Sequence, residues 1–165
     1  GMGKTLSYYG AAVRSLRVVE PSAAMNARTA PMLAAAPFAT SVLEARGEAL
    51  PFADGTFDTA VCTLTLCSVD DPAAVLAELR RVLKPGGTLH FIEHVLSDEP
   101  GVARRQRLLD PLQRRLGCGC RLTRDSAAHI RAAGFELAAL ERKVGTGLPV
   151  FRLFPIVLGV GRKPG

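Results

Sequence analysis

Gly1-Met-Gly-Lys-Thr5 admits two readings, and the choice between them decides the fold. Gly3-Lys4-Thr5 matches the end of a phosphate-binding loop, G-x-x-x-x-G-K-[ST], whose successive backbone N–H groups cradle phosphates. Gly1-x-Gly3 matches the end of the glycine loop of a Rossmann-type nucleotide site. A phosphate loop also needs a preceding strand, a first glycine and a downstream apolar run ending in an acid, and none of these stands out. The Rossmann reading makes a second demand: an acid ending the next strand about 20 residues on, where it accepts hydrogen bonds from ribose hydroxyls. Glu20, after Leu16-Arg-Val-Val19, is in that place. Two features at the right separation outweigh one tripeptide. Lys4 is then an ordinary exposed residue.

Working outward, strand and helix signals alternate, which argues for a parallel sheet covered by helices. A helix is expected after Thr5, a strand over 16–20, and an Ala-rich helix from Pro21-Ser22 towards Ala36, interrupted near Pro31. Further strands are expected at Ser41–Ala45 and Phe57–Thr63. Asp71-Pro72 is a helix start, an acid cap followed by proline at the first helical position. Val75, Leu76, Leu79, Val82 and Leu83 then share one face. Pro85-Gly86-Gly87 reads as the end of that helix, before a strand over 88–93. Another helix opens at Thr123-Arg-Asp-Ser126 and stops at Gly134. Two closing strands are expected near 135–141 and 154–160, and no internal repeat is visible.

Composition bounds the function. At 165 residues, 48% hydrophobic and 22% charged, the chain is long enough for one domain with its own core. The net charge of +6 is equalled by one stretch, 101–131, with eight arginines against Asp110 and Asp125. The rest is balanced, so a general nucleic-acid binder is a poor reading. Those arginines suit a solvated helix face, the steering of an anionic substrate, or peripheral contact with a membrane surface. The apolar tail over 148–161 is interrupted by Arg152 and Pro155 and is too short to span a bilayer. Four cysteines without a secretory signal point to a reducing, cytoplasmic setting. Cys118-Gly-Cys120 is too tight for the usual zinc spacing and no Cys or His pair completes a ligand set, so no metal site is expected.

Three blocks carry a family resemblance: Glu20-Pro-Ser-Ala-Ala-Met25, Gly47-Glu-Ala-Leu-Pro-Phe-Ala-Asp-Gly-Thr-Phe-Asp58 and Leu79-Arg-Arg-Val-Leu-Lys-Pro-Gly-Gly87. Together they resemble the class I S-adenosyl-L-methionine (SAM)-dependent methyltransferases over nearly the whole chain. Val61–Val69, Glu93-His-Val95, Leu109-Asp-Pro111 and Cys120–Arg124 are similar to a narrower group that includes thiol S-methyltransferases and proteins labelled phospholipid methyltransferases. The resemblance implies a single α/β domain: a Rossmann-like, mostly parallel sheet with helices on both faces and an antiparallel last strand. It also implies SAM as cofactor and a small-molecule methyl acceptor, with thiol, quinone-like and lipid acceptors all open.

Carried over residue by residue, Glu20 would hold the cofactor ribose and Met25 would pack near the adenine. Gly47, Glu48 and Ala49 fall where a loop meets the adenine edge. The family usually carries an aspartate just before the Gly47 position; Arg46 stands there, leaving that contact to backbone or to Glu48. Thr63 and Leu64 would lie beside the methionine part, which Gly1 and Gly3 would let the backbone approach closely. Methyl transfer is an in-line displacement that needs chiefly proximity and orientation. A base helps where the acceptor loses a proton. Glu93 and His94, at a strand's carboxyl end, are the candidates; His90 and His129 read as structural, and Cys62 and Cys67 as small buried hydrophobes.

One departure matters. The family's first strand and most of its glycine loop precede Gly3, so the domain is expected to be incomplete at the N-terminus, with that strand's neighbours unpaired. Either the sheet collapses or a second subunit completes it, and cofactor binding is at risk. The alternative to an enzyme is a non-catalytic methyltransferase-like module acting through protein contacts.

Overall fold

A computed structural model describes residues 5–145 and 149–165 of the chain. Gly1 and Gly3 lie outside the described residues. The chain divides into two units, Gly1–Pro51 and Phe52–Gly165.

In the first unit, a short 3₁₀ turn at Leu6–Tyr8 replaces the helix expected after Thr5. Strand β1 spans Ser15–Val19, helix α1 Ala23–Ala34 and strand β2 Ala39–Leu43. Ser22 caps α1, its Oγ accepting from the Met25 amide at 3.3 Å. The helix runs on through Pro31 rather than breaking there, and ends one turn later. β1 and β2 pair in parallel from Ser15 opposite Ala39 to Val19 opposite Leu43. The second strand therefore begins two residues earlier than its sequence signals suggested, because the ladder to β1 sets the bounds.

The second unit contains β3 (Phe57–Thr63), α2 (Pro72–Val82), β4 (Leu83–His94), α3 (Pro100–Leu116), α4 (Ser126–Ala132), β5 (Glu136–Lys143) and β6 (Ile156–Arg162). The strand order is β3-β4-β6-β5, with β3 and β4 parallel and β6 antiparallel to both its neighbours. The last strand thus runs against the other three, as expected. Asp71 caps α2 through Oδ1, which accepts from the amides of Ala73 and Ala74 at 2.9 and 3.0 Å. That cap turns Val75 and Leu76 onto a core that also holds Leu89, Phe91 and Ile130.

One boundary differs from the sequence reading. Helix α2 stops at Val82, three residues before Pro85, and Leu83 is already extended and paired with Phe57. Lys84–Gly87 bulge out of the ladder with Gly86 at φ +74°, and pairing resumes at Thr59 and Thr88. The glycines serve a strand bulge rather than a helix end.

Within the second unit β3 is an edge strand, paired with β4. On the face of the larger sheet opposite its core, Val61 and Ile92 are 42% and 37% exposed. On β6, a Cβ at Gly159 would meet the Ala139 carbonyl and lie 2.7 Å from Phe91 Cζ. Gly159→Ala is expected to cost about 1–3 kcal/mol by overpacking, read as a lowered urea midpoint. An unchanged midpoint would mean that β5 and Phe91 yield freely.

Candidate functional site

At the carboxyl end of β1, the Glu20 amide donates to the Leu43 carbonyl at 3.1 Å, so the ends of β1 and β2 are tied together. The Glu20 side chain turns back to its own loop, Oε1 accepting from the Ser22 amide at 3.0 Å, and remains half-buried. A carboxylate accepts hydrogen bonds at both oxygens, which is the chemistry that O–H donors require. Met25, also half-buried, sits in the first turn of α1. Gly47 and Glu48 form a turn after β2, followed by Ala49. The Glu48 carboxylate is drawn to the Arg46 guanidinium at 3.2 and 3.4 Å, and the Ala49 amide donates to the Arg46 carbonyl. Arg46 thus engages the acid two residues after it.

In the second unit, chemistry gathers at the carboxyl ends of β3 and β4. Thr63 ends β3, and Leu64 follows in the left-handed region at φ +52°, its amide held by the Ile92 carbonyl at 2.8 Å. A leucine there is strained, and such strain persists where the surroundings fix it. They do so through Glu93. This acid is fully buried; Oε1 accepts the amides of Thr65 and Leu66, and Oε2 that of Cys67, each at 2.9 Å. Burial and the neighbouring Cys67 push its pKa up to about 8, against the downward pull of the three amides. Arg124 grips the same turn from its carbonyl side, Nη1 donating to Leu66 and Val69 at 2.6 and 2.7 Å. The backbone from 64 to 69 is therefore clamped between an acid and a base from two different elements.

His94, the last residue of β4, is half-buried, with Nδ1 3.2 Å from Cys120 Sγ and its ring 5.8 Å from that of Phe154. Cys120 Sγ lies 3.7 Å from Cys67 Sγ. The hydrogen bond between the two thiols raises the pKa of Cys67 and lowers that of Cys120. Folding thus supplies the neighbours that the spacing of Cys118 and Cys120 could not reveal. Both side chains expected to handle a proton are engaged: Glu93 by amides, His94 by a thiol.

Other polar features stand apart from this end of the sheet. His90 is exposed on β4, beside Thr88, and His129 Nδ1 contacts the carbonyl of Asp125, the residue that caps α4. A cavity of about 790 Å³ lies at the opposite ends of β3 and β4, lined by Asp54, Arg80, Arg81, His129 and Lys163. Arg81 there is already bound by Glu78 and Asp54. Helix α3 exposes Leu108, Leu112 and Leu116 among Arg104, Arg105, Arg107, Arg114 and Arg115. No helix among the described residues is long and apolar enough to cross a membrane.

An acid closing the first of two parallel strands, a clamped turn at the end of β3 and an antiparallel last strand define a Rossmann-like fold of the methyltransferase type. The chain belongs to the methyltransferase domain family, which matches residues 1–91. It is 44% identical over 105 residues to thiol S-methyltransferase TMT1B of Rattus norvegicus, a match covering 63% of this chain and 41% of the relative. The chain thus spans well under half of that relative. Among solved structures, the YcgJ protein of Bacillus subtilis superposes with a TM-score of 0.75 at 16% identity, over 100% of this chain and 89% of that one. The [4+2]-cyclase SpnF gives a TM-score of 0.71 at 19% identity, over 92% and 66%. These two show the fold alone, and the cyclase illustrates that the fold does not name a reaction.

The family implies SAM as the cofactor, and the described residues fit it in part. Glu20 is a carboxylate at the end of β1, the type of group that a ribose diol can donate to. Glu48 is engaged by Arg46, so at the 47–49 turn backbone groups are the ones a cofactor would meet.

Proposed function

We propose that the protein is a SAM-dependent methyltransferase acting on a small-molecule thiol. The observation that carries the reading is Glu20, an acid at the carboxyl end of β1 in a chain of the methyltransferase family. The thiol class follows the name of the 44% identical relative. In this account Glu20 holds the ribose hydroxyls, and Met25 and the turn at Gly47, Glu48 and Ala49 border the adenine. When bound, SAM supplies an electrophilic methyl on a sulfonium, open to in-line attack by a thiolate. Glu93 is a positioning residue. Its carboxylate fixes the amides of Thr65, Leu66 and Cys67, and so sets the direction of the Leu64 backbone.

The test is transfer from methyl-labelled SAM to a panel of acceptors: 2-mercaptoethanol and dithiothreitol against a phenol and a primary alcohol. Label in the thioether product alone is expected. Label in the phenol or alcohol alone would overturn the thiol assignment while keeping the transferase. Transfer to none would favour the non-catalytic, protein-binding module.

A further inference from the structure

Cys67, His94 and Cys120 come from three separate elements: the turn after β3, the last residue of β4 and the loop between α3 and α4. Their two Sγ atoms and a ring nitrogen all lie within 4.8 Å of one another. We propose that these three side chains form a zinc-binding site, with Cys67 Sγ, Cys120 Sγ and His94 Nδ1 as ligands.

The donor set and its spacing point to zinc. Two thiolates and an imidazole are soft to borderline donors, the set that favours zinc over magnesium or calcium. Two sulfurs each about 2.3 Å from a tetrahedral ion stand about 3.8 Å apart. The observed separation is 3.7 Å. A sulfur and an imidazole nitrogen on such an ion are about 3.6 Å apart, and His94 Nδ1 lies 3.2 Å from Cys120 Sγ. Small side-chain rotations bring all three onto one ion.

The backbone holds this geometry in advance. The Cys67 amide is fixed by Glu93, and its carbonyl accepts from the Arg121 amide at 2.8 Å. Cys118 and Gly119, at φ +51° and +85°, turn the loop so that Cys120 meets Cys67. A Cβ at Gly119 would lie 2.9 Å from the Ser68 carbonyl, so only glycine lets the two loops close this tightly. Phe154 and Leu122 pack around the two buried cysteines and provide an apolar surround. Three protein donors leave one tetrahedral position for an exogenous ligand.

The probe is cobalt(II), which takes tetrahedral zinc sites and reports its ligands. It would be titrated into the protein kept reduced with a phosphine. The expected result is intense visible d–d absorption of tetrahedral cobalt with a near-ultraviolet sulfur-to-cobalt charge-transfer band, both displaced by one equivalent of zinc. Cys67→Ser, Cys120→Ser and His94→Ala should each abolish the d–d bands or weaken cobalt binding by about 100-fold, whereas Cys118→Ser should leave the spectrum intact. Far-UV circular dichroism of each variant checks that it is folded. Because wild type and the Cys118 variant alone already give a yes or no, a misfolded ligand variant does not remove the test. No tetrahedral bands in the wild-type protein, bands that survive loss of both Cys67 and Cys120, or a Cys67–Cys120 disulfide that resists the phosphine would each overturn the site. None of these readouts depends on methyl transfer.

Discussion

Glu93→Ala is expected to lower unfolding stability by about 3 kcal/mol, because it strands the buried amides of Leu66 and Cys67 and the partly buried amide of Thr65, and leaving a buried donor unsatisfied costs about 1–3 kcal/mol each. The Thr65, Leu66 and Cys67 amides all end on this one carboxylate, and the residue is fully buried. Glu93→Gln keeps one acceptor oxygen and turns an NH₂ towards an amide donor, so it should fall between wild type and alanine. Urea unfolding measures both as a shifted midpoint at unchanged slope. A loss below about 1 kcal/mol for the alanine variant would mean that water satisfies those amides and that Glu93 does not clamp the turn.

The burial of Glu93 was present in the sequence as a period of two. Leu89, Phe91 and Glu93 alternate with His90, Ile92 and His94, and the first three are the buried set. Reading the acid as a strand-end group facing ligand overlooked that parity. Strand β3 and the start of α2 were legible residue for residue, because the Asp-Gly turn at Asp54-Gly55 before the strand and the Asp71-Pro72 cap are local signals. The end of α2 was not, since Leu83 leaves the helix to pair with Phe57, a residue 26 positions earlier in the chain. The cluster of Cys67, His94 and Cys120 was illegible for the same reason. Its sulfurs are 53 residues apart in sequence, and no spacing rule joins them. Arg124, which holds two carbonyls of the clamped turn, left no signal beyond belonging to a basic run.

Glu20→Ala is expected to weaken S-adenosylhomocysteine binding by about 100-fold or more. A hydrogen bond to a charged group is worth about 1.5–3 kcal/mol, two ribose hydroxyls donate, and about 1.4 kcal/mol is tenfold in affinity. Glu20→Gln, with one acceptor oxygen in place of two, should lose less. Water can replace the half-exposed carboxylate as acceptor for the Ser22 amide, and circular dichroism checks that the variant is folded. An unaltered affinity in a folded Glu20→Ala protein would place the ribose elsewhere.

The most direct test of the central claim is calorimetric titration of S-adenosylhomocysteine into the wild-type protein. One site of micromolar affinity is predicted, with a thermal midpoint that rises as ligand is added. No heat and no rise at millimolar ligand would contradict the claim that this chain binds the methyltransferase cofactor.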